Sequence, residues 1–215
     1  MTSSEMLSES TIRKALREFD IDLDARQVIQ TQTYLKLLMA WNDKVNLTAI
    51  REPREMLYRH FCESMFAVRV ADLENCRLAD IGSGAGFPGL ALAIVAPNAH
   101  MFLVEANAKK ATFMGEVLRG LKLSNAKVFN RRFEELGAEI APVDYVCARA
   151  LGDFKTLLTW ARSQAIDGKH VMLWLGAGDV SEVEKLSGWR WKSPVPVPQS
   201  LRRVILVGSK LQNQE

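Results

Sequence analysis

The chain has 215 residues, 48% hydrophobic and 25% charged, with 13 Gly, 7 Pro and a formal net charge of +3. These are the proportions of a soluble globular protein, and they exclude a disordered chain, a collagen-like repeat and a disulfide-stapled miniprotein. No stretch approaches the roughly 18 apolar residues of a membrane span. The first residues carry neither the basic flank nor the apolar run of a secretory signal. Cys62, Cys76 and Cys147 lack C-x-x-C spacing, which fits reduced thiols in a cytoplasm and not a zinc site, so no metal is expected.

The first 75 residues read as helices. Ile12, Ala15, Leu16 and Phe19 form one apolar stripe at helical spacing. Asp24 suits the cap of a second helix carrying Val28, Leu35, Leu38 and Trp41. Pro53 suits the first turn of a third, running through Met56, Leu57, His60, Phe61, Met65 and Val68. A polar, turn-like run, Asn42 to Thr48, separates the last two.

After about residue 76 short β-rich runs alternate with helical patterns. The runs are 78–81, 100–104, 127–129, 144–147 and 170–174, and helices are expected to begin near Pro88, Asn107, Asp153 and Asp179. That alternation predicts βαβ units and a mainly parallel sheet. The tail carries two more strands, 189–191 and 203–207, joined by a Pro-rich connection too short for a crossover helix. The last pair is therefore expected to be antiparallel. Two regions follow: a helical cap over 1–75 and a Rossmann-like domain over 76–215.

The strongest local signal is Asp80-Ile-Gly82-Ser-Gly84-Ala-Gly86-Phe-Pro88-Gly89, directly after the first strand. Glycines let backbone approach a ligand closely and adopt positive φ at neighbouring positions, and ligands of open parallel sheets bind at the strands' carboxyl ends. A dinucleotide fingerprint would place glycine where Phe87 stands, and no Gly-Lys-Ser/Thr ending marks a triphosphate loop. Glu105, ending the second strand, can accept both hydroxyls of a ribose and would repel a ribose phosphate. The combination points to a nucleoside cofactor such as S-adenosyl-L-methionine, with Asp80 near its cationic end.

Signatures of other methyl-transfer chemistries are missing. An Asn/Asp-Pro-Pro-aromatic motif is absent, and Cys147 lies inside a strand outside any Pro-Cys pair. Guanine N7 carries a free in-plane lone pair and needs alignment more than a general base. An oxygen or small-amine acceptor fits the same residues.

Four blocks carry a resemblance to a known family: Trp41 to Thr48 leading to Arg59-His60; Asp80 to Gly89; Glu105 to Phe113; and Arg131 to Glu135 followed by Ala148-Arg149-Ala150. Over roughly residues 34–207 the chain resembles the bacterial small-subunit ribosomal RNA methyltransferase G family, 16S rRNA guanine-N7 methyltransferases also called glucose-inhibited division protein B. The resemblance implies a helical cap on a class I methyltransferase sheet of seven strands. It also implies S-adenosyl-L-methionine as cofactor, and 16S rRNA or the small ribosomal subunit as partner of a cytoplasmic monomer. By position, Gly82, Gly84 and Phe87 would line the cofactor pocket, Glu105 would hold the ribose, Phe133 and Glu134 would flank the adenine, and Arg149 would sit beside the cofactor. Asn46 and His60 would face the methyl group, and Arg203 the RNA. The chain departs from the family pattern at Leu175, where a lysine is usual, and at Glu63, where an aspartate is usual. A non-catalytic RNA-binding relative and a small-molecule methyltransferase are the alternative readings. Residues 1–75 carry a net charge of −2 and the rest +5, a balance that permits a nucleic-acid partner without identifying one.

Overall fold

The computed structural model describes residues 7–150, 152–163 and 166–212; the first six residues, read above for a secretory signal, lie outside it. Helix α1, Glu9–Arg17, starts at Ser8, whose hydroxyl accepts from the Thr11 amide. Helix α2, Ala25–Val45, starts at Asp24 in a reciprocal capping box with Gln27. Such caps stabilise a helix by about 1 kcal/mol each, because they satisfy amides that the first turn leaves unpaired. The third helical span is composite: α3, Pro53–Met56, a π-helical segment Leu57–Cys62, α4, Glu63–Met65, and a 3-10 end Phe66–Arg69. The sequence predicts one regular helix here, and the π-helical register is a finding of the structure.

Strands β1 (Arg77–Ile81), β2 (His100–Val104), β3 (Ala126–Phe129), β4 (Tyr145–Arg149) and β5 (His170–Gly176) are parallel. They alternate with α5 (Gly89–Val95), α6 (Ala108–Leu121) and α7 (Phe154–Ala161); α8 (Val180–Glu184) follows β5. Asn107 and Asp153 cap α6 and α7 through their side chains, where the sequence places those helix starts. The tail strands are β6 (Trp189–Trp191), β7 (Val195–Pro196) and β8 (Arg203–Lys210). The sheet order is β3-β2-β1-β4-β5-β8-β6. The last strand is antiparallel, as expected, but it inserts between β5 and β6, and the Pro-rich connection contributes the two-residue β7 to its edge. The order reverses at β1, so the crevice for a ligand opens at the carboxyl ends of β1 and β4.

Apolar residues of the cap (Ile12, Leu16, Tyr34, Leu35, Leu38, Phe61) share one buried cluster with Leu78, Leu90, Phe113, Cys147 and Met172 from one side of the sheet. Each fully buried side chain of this size stabilises the fold by about 1.5–3 kcal/mol. Helix α2 packs along α5 and α6 on that side of the sheet, and the composite helix brings His60 and Phe61 against Phe87 of the glycine loop. A second cluster, including Val146, Leu157, Leu173 and Leu206, fills the other face.

Candidate active site

The loop after β1 turns through three left-handed glycines, Gly82 (φ 67°), Gly84 (φ 59°) and Gly86 (φ 90°). Two of them face different surroundings. A Cβ on Gly84 would meet nothing closer than the Gly82 carbonyl at 3.8 Å, whereas one on Gly86 would lie 2.3 Å from Leu90 Cδ1 and 2.6 Å from the Tyr34 hydroxyl. Gly84 leaves open space for a ligand, and Gly86 lets the loop pack beneath the cap.

Glu105 joins this loop to the end of β2. Its Oε2 accepts from the Gly84 amide at 2.9 Å and its Oε1 from the Asn107 amide at 2.8 Å. Each oxygen keeps a lone pair for a further donor. Gly82, Glu105, Ala106, Phe133 and Glu134 line a cleft of about 170 Å³ that also reaches Arg131 and Arg132. The structure therefore brings the predicted Gly82, Glu105, Phe133 and Glu134 together, with Gly84 bonded to the same carboxylate. Phe133 packs edge-on against Trp160, and Glu134 is exposed.

Asp80 lies under the loop, 1% exposed, with Oδ2 accepting from the Gly89 amide at 2.9 Å. Its Oδ1 is buried with no partner among the described residues. Burial pushes its carboxyl up to about 7, against the pull of the Gly89 N–H. An unpaired buried acceptor is costly, so a cationic or N–H group arriving here would be favoured. The acceptor, the open glycine and the ribose-type carboxylate together fit an adenosine cofactor carrying a cationic tail.

On the cap side, His60 sits in the π-helical segment. Its Nε2 is 2.8 Å from the Thr48 hydroxyl, and its ring stacks on Phe87 at 4.9 Å. Phe87 in turn stacks on Tyr34, whose hydroxyl donates to the Ala85 carbonyl. Phe87 is 7% exposed and belongs to this three-ring stack, not to the residues lining the cleft beside Glu105. Burial, reinforced by Arg149, Arg59 and Arg203, pushes the His60 imidazole down to about 3, so it is neutral at physiological pH.

Asn46 ends α2 in the left-handed conformation, and its exposed carboxamide accepts from Arg51. The polar run is closed by buried Asn42, which bonds the Thr48 amide and the Ile50 carbonyl. Sequence reasoning singled out Asn46 and passed over Asn42, because two asparagines in one turn look alike until burial separates them.

Arg149, at the end of β4, donates to the Arg59 carbonyl, to the Ser64 hydroxyl and to Glu63. Glu63 is 3% exposed and pairs with Arg59 at 3.5 Å, Arg149 at 3.3 Å and Arg203 at 2.7 Å. Burial draws the Arg149 guanidinium down to about 10, which leaves it charged at neutral pH. The sequence marks Glu63 only as a departure from the family pattern; the fold makes it the common partner of three arginines. The Leu175 side chain is 3% exposed within the second core cluster, on the residue paired with Val204.

A family model described as rRNA small subunit methyltransferase G matches residues 27–190. The chain belongs to this family. It is 45% identical over 139 residues to ribosomal RNA small subunit methyltransferase G of Xylella fastidiosa strain M23, a match over 65% of the chain and 64% of that relative. The chain thus spans just under two thirds of the length of these Xylella relatives. Against the protein of the same name from Xanthomonas axonopodis pv. citri the identity is 40%, over 78% of each chain. Against that of Ectopseudomonas mendocina it is 34%, over 86% of each. Among solved structures, a putative RNA methyltransferase from Pyrococcus horikoshii superposes with a TM-score of 0.58 at 21% identity, over 86% of this chain and 98% of that one. A SAM-dependent methyltransferase from Aquifex aeolicus gives 0.58 at 14% identity, over 77% and 97%. These likenesses establish the class I methyltransferase fold. Among the described residues no helix is long and apolar enough to cross a membrane.

Proposed function

We propose that the protein transfers a methyl group from S-adenosyl-L-methionine to N7 of a guanine in 16S rRNA of the small ribosomal subunit, acting as a monomer. The observation that carries this reading is the Glu105 carboxylate, bonded to the open glycine loop at the sheet's switch point in a chain of this family.

The cofactor supplies an electrophilic methyl on a sulfonium. Glu105 would accept the ribose hydroxyls, Gly82 and Gly84 would let the backbone come close, and Phe133 with Glu134 would flank the adenine; Gly82, Glu105, Phe133 and Glu134 line one cleft. Asp80 offers its unpaired oxygen to the cationic amino group. Guanine N7 attacks with its own lone pair, so the residues around it have to orient the base and exclude water; no proton need be removed first. The neutral His60 on its Phe87 platform provides a flat, uncharged wall. Arg149 would stand beside the cofactor, and Arg203 would place positive charge where a polyanionic substrate approaches.

Small subunits incubated with the protein and S-adenosyl-L-methionine, digested and analysed by mass spectrometry, should yield 7-methylguanosine. A product on another nucleoside, or none on subunits with transfer to small metabolites instead, would reject the substrate assignment.

A further inference from the structure

Three guanidinium groups from three separate elements converge on one buried carboxylate. Arg59 comes from the π-helical segment, Arg149 from the end of β4 and Arg203 from the start of β8; Glu63 pairs with all three at 3.5, 3.3 and 2.7 Å. The backbone around Glu63 serves the same arrangement. In the π-helical register the Glu63 amide bonds to the Tyr58 carbonyl, while the Arg59 carbonyl and the Ser64 hydroxyl accept from Arg149. The Glu63 carbonyl accepts from the Trp174 indole, which ties α4 to β5. π-Helical turns of this kind recur at functional sites. The same three arginines help push the His60 imidazole down, and Arg149 pulls on the Asp80 carboxyl.

The charges do not balance within this group. One carboxylate serves three guanidiniums, which leaves an excess of two positive charges. Arg59 and Arg203 remain partly open, with 42% and 22% of their side chains exposed. If stability alone were served, one arginine would suffice; a second and third must be held against their mutual repulsion.

We propose that Glu63 is a positioning residue for methyl transfer, whose carboxylate gathers Arg59, Arg149 and Arg203 into one fixed cluster, so that the partly open Arg59 and Arg203 seat a phosphodiester of the RNA substrate. The proposal rests on the RNA-methyltransferase reading above. Glu63 touches no reacting atom; it acts through the arginines. Without its carboxylate the three cations repel one another and swing toward solvent. The RNA is still attracted, but the base is no longer held in line with the methyl group.

The test compares wild type, Glu63→Asp, Glu63→Gln and the double variant Glu63→Gln/Arg59→Gln, the last keeping the cluster's net charge at the wild-type value. Each is assayed for cooperative melting, for S-adenosyl-L-methionine binding by calorimetry, and for kcat and KM on small ribosomal subunits. Misplacement of about 1 Å can cost up to about 100-fold in rate, so kcat should fall about 10- to 100-fold in both Gln-containing proteins while KM changes little. Glu63→Asp keeps a carboxylate but shortens its reach by one methylene, so kcat should fall only severalfold, less than in the Gln-containing proteins, with KM again little changed.

A folded double variant with wild-type kcat would show that only charge balance matters and would overturn the proposal. So would a folded Glu63→Asp protein as slow as Glu63→Gln. If neither Gln-containing protein melts cooperatively, Glu63→Asp decides alone: a lower kcat at unchanged KM supports the proposal, and a lowered melting temperature with wild-type kcat overturns it. Failure of wild type itself to methylate subunits would count against the RNA-methyltransferase reading, not against the role of Glu63.

Discussion

Two glycines of the same loop should respond to alanine in opposite ways. At Gly86, a Cβ would stand 2.3 Å from Leu90 Cδ1 and 2.6 Å from the Tyr34 hydroxyl, with φ at 90°. A left-handed conformation costs an alanine about 1–2 kcal/mol, and overpacking a filled core costs about 1–3 kcal/mol more. Gly86→Ala should therefore lose about 2–5 kcal/mol, which for a chain of this size lowers Tm by roughly 5–20 °C. At Gly84 the space is open to 3.8 Å, so only the conformational cost of about 1–2 kcal/mol applies, a shift of roughly 2–8 °C. Its methyl group would instead intrude where the cofactor approaches, and binding should weaken about tenfold or more, at least 1.4 kcal/mol. Scanning calorimetry gives the first quantity, and titration with S-adenosyl-L-methionine the second. Equal thermal losses at the two positions, or unchanged affinity in Gly84→Ala, would refute the division between a packing glycine and an approach glycine.

Other expectations follow from the ionisable groups. Because burial raises the Asp80 carboxyl to about 7, the ligand-free fold binds a proton more tightly than the unfolded chain between about pH 4 and 7. Stability should therefore fall as pH rises through that window, and Asp80→Asn should flatten the slope relative to wild type in thermal melts. A cationic cofactor tail beside Asp80 restores the charged form, so calorimetry at pH 7 in buffers of different ionisation enthalpy should show proton release that Asp80→Asn abolishes. With His60 held down to about 3, its imidazole proton resonances should not move between pH 5 and 8; a titration midpoint near 6.5 would contradict the buried stack. Burial raises the Cys62 and Cys147 thiols, and both side chains are fully buried. A thiol reagent should accordingly modify Cys76 alone in the native protein and all three cysteines after denaturation.

The alternating part of the fold was legible because its punctuation is local. Asn107 and Asp153 cap the helices that their positions predict, and the five parallel strands lie within a residue or two of their apolar runs. The glycine loop and Glu105 were legible as a pair for the same reason: their spacing reflects one βαβ unit. What stayed hidden depends on distant pairing. Glu63 reads as one more charge on a helix, and only the packing of the cap on the sheet brings Arg149 and Arg203, 86 and 140 positions later, to its carboxylate. The π-helical segment holding His60 has no mark in a sequence whose apolar spacing also fits an ordinary helix. Phe87 stacks between Tyr34 and His60, partners that periodicity does not reveal. The place of β8 between β5 and β6 was equally unreadable, since antiparallel character follows from a short connection while sheet order does not.

The central claim is tested most directly by a crystal structure of the protein grown with S-adenosylhomocysteine. The ribose hydroxyls should lie within hydrogen-bond distance of Glu105, with the glycine loop against the sugar and the amino group at Asp80. A nucleoside seated away from Glu105, or a Glu105 that keeps its bonds to Gly84 and Asn107 and offers the ligand nothing, would contradict it.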